Sequence, residues 1–196
     1  MRLFRKLSSP SDQVLLSGNR VYLRAPIEKD WRYYQQIRSL SRDFLEPWEP
    51  TWPIDALARD LYLRNLNRYA AEWKDNLGHS FFIFRNKDDF LLGGISLTNV
   101  RWGVSQCGTL GYWIGKPYAR EGYMTEALRL ITSFCFDDLR LHRIEAACLP
   151  HNEASQRLLR GANFTEHGYA RKYLKIRGQW HDHLLFSLLN EEHKKN

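Results

Sequence analysis

The sequence predicts an α/β (α+β) domain, one mixed sheet with helices on its faces. Three observations lead there. Several segments alternate apolar and polar residues with the period of two that a strand requires, others repeat apolar residues at helical spacing, and turn-forming residues separate the two kinds. The chain has 196 residues, 43% of them hydrophobic, enough for one sizeable core, and no internal repeat or linker divides it.

The elements follow in order. Residues 19–27, NRVYLRAPI, alternate as a first strand, and IEKDWRYYQQIRSL then sets Trp31, Tyr34 and Ile37 on one face of a short helix with Asp30 as its N-cap. Pro47, Pro50 and Pro53 in FLEPWEPTWP predict an ordered loop, after which Leu57, Leu61, Leu66, Tyr69 and Trp73 mark a longer helix ending near residue 76. HSFFIFRN and FLLGGISLTNV, joined by KDD, read as an antiparallel hairpin, and GTLGYWIG as the next strand. A helix with Ala127, Leu130, Ile131, Phe134 and Cys135 along one face comes next, the spacing of a stripe packed on a sheet. RIEAACLP is a strand, NEASQRLLRGA a helix, and FTEHGYARKYLKI and QWHDHLLFSLLN are closing strands.

Composition bounds the function more loosely. The formal charge of +7 favours anionic partners without choosing among nucleic acid, a phosphorylated cofactor and an acidic protein, and Arg2, Arg5, Lys6, Lys194 and Lys195 put part of it in the chain ends. No apolar run reaches bilayer length and the start, MRLFRKLSSPSDQ, lacks the apolar centre of a secretory signal, so a soluble cytoplasmic protein without membrane partners is expected. Cys107, Cys135 and Cys148 have neither disulfide-framework nor zinc-site spacing and read as buried, reduced thiols. His181 and His183 share a strand face without an evident third ligand, which reads as a surface pair and not a metal site. No motif for reading nucleic acid is present, so specific DNA binding is not expected.

The stretch IGKPYAREGYMTEALRLI, residues 114–131, carries the first chemical signal. A strand running through a glycine-containing turn into a helix leaves backbone N–H groups unpaired at the positive end of the helix dipole, a receptor for phosphate. Gly122 permits close approach or a positive φ, and Arg120 adds charge. Alone, the segment reads equally as a structural turn.

A second segment, LPHNEASQRLLRGANF, follows with Asn152, Ser155, Leu159, Asn163 and Phe164. Together the two resemble the acetyl-CoA motifs of the GNAT superfamily of N-acetyltransferases: a pyrophosphate loop opening a helix, then an N-x-x-S helix ending in a Gly-Phe-like step. VYLRAPIEKDW, the hairpin, GYWIGKPY and GYARKYLKIRGQWHDH extend the likeness over most of the chain, toward the RimJ-type ribosomal-protein alanine acetyltransferases. The resemblance implies a GNAT-like, mostly antiparallel sheet of about six to seven strands with about four helices and a splayed strand pair, residues 19–193 forming the domain and 1–18 an extension. It implies acetyl-CoA as acetyl donor, held by Ile114 and Gly115 in the splay, by the backbone of Arg120, Glu121, Gly122, Tyr123, Met124 and Thr125, and by Asn152 and Ser155. This chain departs from the family's loop in having Ala119 and Met124 where a glutamine or arginine and a small residue are usual, which shifts the expected grip to main-chain amides. Asn163 takes the place of a helix-ending glycine, a conformation asparagine tolerates.

The resemblance further implies direct attack of an amine on the thioester without a metal, a strand N–H stabilising the oxyanion and a donor protonating the thiolate. The tyrosine common in that donor role would stand at Leu159, so Ser155 is the expected donor; its other reading is support of the helix start. Glu145 is the expected base acting through water, with an ordinary ion pair to Arg143 as the alternative. Glu46, Trp48, Glu49 and Trp52 are expected to receive a cationic acceptor, or else to form a stiff loop with its tryptophans packed inward. The expected acceptor is the N-terminal α-amine, Ala or Ser, of a ribosomal protein, with association with the ribosome added by the basic surface. The alternatives are a small amine and a non-catalytic CoA-binding module. Oligomeric state is not legible.

Overall fold

The computed structural model describes residues 14–193, and Arg2, Arg5, Lys6, Lys194 and Lys195 lie outside the described residues. One eight-stranded sheet organises the chain: β1 (Leu15–Ser17), β2 (Val21–Arg24), β3 (His79–Arg85), β4 (Phe90–Arg101), β5 (Cys107–Ile114), β6 (Arg143–Cys148), β7 (Thr165–Ile176) and β8 (Gln179–Leu189), in the spatial order β1-β2-β3-β4-β5-β6-β8-β7. Neighbours are antiparallel except β5 and β6, which run parallel. The strand beyond the expected count is β1, which pairs with β2 inside the segment expected to be an extension. Three residues are too few for a periodic signal.

Four helices match the expected ones: α1 (Trp31–Leu40), α3 (Arg59–Lys74), α4 (Tyr123–Ser133) and α5 (Glu153–Gly161). Short α2 (Arg42–Leu45) and α6 (Asn190–His193) are added, and the proline-rich segment turns through a 3₁₀ element at Glu46–Trp48. Two apolar clusters form. The larger joins Ala127, Leu128 and Ile131 of α4 and Leu159 of α5 to strand residues such as Leu23, Ile83, Leu97 and Ile144; the smaller packs Ile37 and Tyr62 on Phe82, Phe84 and Leu91. The expected α4 stripe is buried, with Leu130 only partly so and Leu128 fully enclosed, and beyond Ser133 the helix widens into a π turn over Phe134–Asp138.

Local sequence explains the ends. Asp30 is not the side-chain cap expected for α1: its carboxylate takes both Arg24 guanidinium nitrogens at 2.7 Å and accepts from Ile27 N at 2.9 Å, so it ties the preceding turn to β2. Asn163 adopts φ 65°, and the N–H groups of Asn163 and Phe164 reach back to Arg160 O and Leu159 O, which closes α5 as its sequence predicts. The three cysteines are free and buried. No helix among the described residues is long and apolar enough to cross a membrane.

His79 sits at the start of β3 against Trp73 (ring centroids 4.5 Å apart) and Phe134 (5.3 Å), with neither ring nitrogen hydrogen-bonded among the described residues. Burial pushes its pKa down from 6.5 to about 4. The unfolded chain therefore binds the extra proton between those values, and stability falls as pH is lowered through that window, by about 3 kcal/mol at most for this residue. Burial also lowers the pKa of His183, which adds loss of the same sign. Urea titrations from pH 7 to 4 should show a decline that His79→Phe makes shallower; an unchanged slope contradicts the buried neutral imidazole.

Candidate active site

The parallel β5–β6 pair is registered from Cys107↔Arg143 to Leu110↔Ala146 and then stops, while β5 continues beside β4 to Ile114. Residues 111–114 thus face β6 with backbone groups it does not pair, and a gap opens between the strands where an extended chain can add as a strand would. Trp113 reaches across β4 over Gly94, where a Cβ would lie 2.5 Å from its Nε1. That close approach needs glycine.

Past the end of β5 a 3₁₀ turn, Lys116–Tyr118, leads to Arg120 at φ 65° and Gly122 at φ 81°. Gly122 caps α4, and Glu126 N makes the return bond to its carbonyl, which leaves the N–H groups of residues 123–125 at the open end of the helix. Met124 buries its side chain in the core, so it offers the loop its amide alone. Glu121 contributes through its backbone as well: its carbonyl accepts from Arg20 Nη1 at 2.8 Å. The Arg20 guanidinium also lies 4.3 Å from the centre of the Tyr123 ring, and Arg20 N donates to Glu126 Oε1. Hydrogen bonding to Arg85 and then Arg20 holds the partly buried Tyr123 phenol below its ordinary pKa. Open amides, a left-handed glycine whose surroundings hold only Arg20 Nη1 at 3.5 Å from a would-be Cβ, and the cations of Arg20 and Arg120, with Arg85 nearby already paired to Asp88, make a receptor that fits a diphosphate. The sequence reading missed Arg20 and Arg85, which come from the bend before β2 and the end of β3; proximity in the fold, not spacing, brings them here.

On the other side of the gap, Asn152 Oδ1 accepts from Ser155 N at 3.1 Å and caps α5. The Ser155 side chain is left for another task, and its Oγ lies 2.6 Å from the Tyr112 hydroxyl. Leu159, one turn on, is fully buried. Glu145 is committed elsewhere: Arg143 Nε donates to it at 2.9 Å and Arg101 Nη2 lies at 3.4 Å. It does not line the cavity described next.

A cavity of about 340 Å³ opens on the opposite face of β5, walled by Tyr34, Tyr62, Tyr69 and Trp113, with Gly111, Ser80 and Ser96 at the sheet. Of the four expected acceptor residues only Glu49 lines it. Its carboxylate is gripped by both terminal nitrogens of Arg38 at 2.7 and 2.6 Å and by Trp52 Nε1 at 2.7 Å. Glu46 instead pairs with Arg42, and Trp48 packs on the His151 ring, so these two stand outside the cavity. Arg38, unanticipated from the sequence, is 9% exposed and lies 4.3 Å from the Trp52 ring and 4.9 Å from that of Trp113. His183 is buried, contrary to the surface pair expected, and no cluster of three or more His, Cys, Asp or Glu suited to a metal occurs among the described residues.

Residues 20–165 match the acetyltransferase (GNAT) domain family. The chain belongs to the GNAT family. Among its relatives, a probable N-acetyltransferase, YjcK, of Bacillus subtilis is 34% identical over 91% of this chain and 98% of its own. The ribosomal protein uS5-alanine N-acetyltransferase of Escherichia coli is 32% identical over 90% of this chain and 91% of its own. Mycobacterium smegmatis RimJ, solved in complex with CoA-disulfide, superimposes with a TM-score of 0.83 at 31% identity, covering 88% of this chain and 83% of that one. This GNAT protein is an acyltransferase, and acetyl-CoA is its acetyl donor. The gap, the α4 turn and the Ser155 hydroxyl stand where a donor with a diphosphate, an extended arm and a reactive thioester fits.

Gly122→Ala forces a side chain into a left-handed backbone, at about 1–2 kcal/mol. Calorimetry with acetyl-CoA should show affinity reduced about tenfold, since the displaced amides no longer converge. Undiminished affinity contradicts the assignment of this turn.

Proposed function

We propose that this GNAT enzyme acetylates the N-terminal α-amine of a protein, beginning with Ala or Ser, and that its substrate is a ribosomal protein. The observation that carries the reading is the 340 Å³ cavity beside the β5–β6 gap. Ligand pockets span about 300–1,000 Å³, and one at the small end suits a chain terminus better than a folded surface. The uS5-alanine N-acetyltransferase relative supports the substrate class.

Acetyl-CoA supplies the activated acyl group as a thioester. The residues of the chain divide the remaining work. The α4 amides and Arg20 and Arg120 hold the diphosphate, and the β6-facing backbone of residues 111–114, Ile114 included, aligns the arm and donates to the thioester carbonyl as charge develops on it, with Gly115 closing the turn. Ser155 donates to the departing sulfur. Glu49, held in place by Arg38 and Trp52, anchors one wall of the cavity, and the aromatic walls receive the cationic terminus on their ring faces. An α-amine with a pKa near 8 is roughly a tenth neutral at pH 7, whereas a lysine near 10.4 is almost wholly protonated. A site whose cavity-lining carboxylate is already neutralised by Arg38 therefore suits the α-amine. The charge of +7 gives the enzyme a favourable approach to ribosomal RNA.

Labelled acetyl transfer should be strongest with short peptides starting in Ala or Ser and with the matching termini in a ribosomal extract. Preference for a polyamine, amino sugar or free amino-acid derivative over every peptide contradicts the acceptor and assigns the same machinery to a small amine. Glu49→Gln should raise the peptide KM several-fold with acetyl-CoA affinity unchanged.

A further inference from the structure

The phenol of Tyr112 is a polar group that the donor and acceptor assignments leave unused. It comes from the half of β5 that β6 no longer pairs, and it crosses to the first turn of α5, where its oxygen lies 2.6 Å from Ser155 Oγ. The contact therefore joins the two walls of the gap, one wall being β5 and the other β6 with the helix that follows it. One turn along α5 from Ser155, Leu159 presents only hydrocarbon, so α5 itself brings no second hydroxyl to that spot.

We propose that Tyr112 positions the Ser155 hydroxyl: the phenol donates to Ser155 Oγ, and the serine's own hydrogen is thereby turned into the gap, toward the sulfur that leaves there. The proposal rests on Ser155 as the donor to that sulfur.

Two features support the direction of the bond. A serine hydroxyl has one hydrogen and two lone pairs, so a partner that donates to it frees its hydrogen for a second acceptor. Burial pushes the Tyr112 phenol above the ordinary tyrosine range, with the Ser155 contact opposing it, so the phenol keeps the proton that it donates. A serine held by a phenol on one side and turned toward sulfur on the other is the arrangement that a leaving thiolate requires.

The chemistry balances without an added acid. Acyl transfer forms one N–C bond and breaks one C–S bond; the sulfur leaves with the bonding pair and takes one proton, and the amine nitrogen gives one up. Ser155 stabilises the sulfur's charge during that exchange, and Tyr112, which keeps its proton, is a positioning residue. A tyrosine on a strand can thus supply the orientation missing at Leu159.

The test is a double-mutant cycle on the full chain with acetyl-CoA and an Ala-starting peptide. Tyr112→Phe should lower kcat about tenfold, the loss of one hydrogen bond, with the acetyl-CoA KM and the thermal midpoint little changed. In a Ser155→Ala background the same substitution should change kcat by less than about twofold. Equal losses in both backgrounds, or none in either, overturn the positioning role. A second readout stands apart from the acceptor: the thiol of bound coenzyme A, titrated by its thiolate absorbance, should have a higher pKa in Tyr112→Phe than in the unaltered protein, with no further rise on adding Tyr112→Phe to Ser155→Ala. If no peptide is acetylated, the acceptor reading fails while the thiol titration still decides the role of Tyr112, and identical titrations overturn it.

Discussion

The loss of pairing between β5 and β6 after Leu110↔Ala146 sets the position of the whole proposed site. Two parallel strands that part company would collapse back together unless each were held from outside. β5 is held by β4 as far as Gly93↔Ile114, and β6 by β8 as far as Cys148↔Leu184. The gap is thus framed by intact ladders on both flanks, and its unpaired backbone groups are preorganised toward whatever enters. Each wall runs on into a helix start: β5 into the turn before α4, β6 into the capped first turn of α5. The turn proposed to receive the diphosphate and the Ser155 hydroxyl proposed as donor consequently stand at opposite sides of one slot.

The two ends of the slot differ in electrostatic character, and the difference suits their ligands. At the α4 turn, Arg120 is exposed and Arg20 braces the loop through the Glu121 carbonyl, so positive charge remains available to an anion. At the cavity, Arg38 and Glu49 neutralise each other through two short hydrogen bonds, with Trp52 completing the carboxylate's coordination. A partly buried pair of this kind adds little net stability against its desolvation, and its use lies in fixing geometry beside the aromatic walls. The tip of the β7–β8 hairpin is tied to the same loop by Arg177 N donating to Glu49 O.

Local patterns carried most of the fold into view, because strands such as β3 and helices such as α4 and α5 announce themselves by periodicity and by their stops. Asn163 shows how far such reasoning reaches: its tolerance of a left-handed backbone predicts the end of α5, and φ is 65° there. The site was less legible for a consistent reason. Gly122, Asn152 and Ser155 lie in contiguous motifs and were named from them, whereas Arg20, Arg38, Arg85 and Tyr112 act across long sequence separations that no local spacing encodes. The ionic residues are hard to read for the same reason: Glu46 and Glu145 have the right charge for an active site, and the fold pairs them with Arg42 and Arg143. Partner choice among charges is decided by tertiary proximity, and the strand parting itself leaves no periodic mark.

Amide hydrogen exchange with and without acetyl-CoA tests the occupancy of the gap most directly. Binding there should slow exchange at residues 111–115 and 120–125 together, while the distant β1–β2 pairing exchanges as before. Exchange left unchanged in both segments at saturating acetyl-CoA, or slowed only elsewhere, would contradict the slot between β5 and β6 as the place where the donor lies.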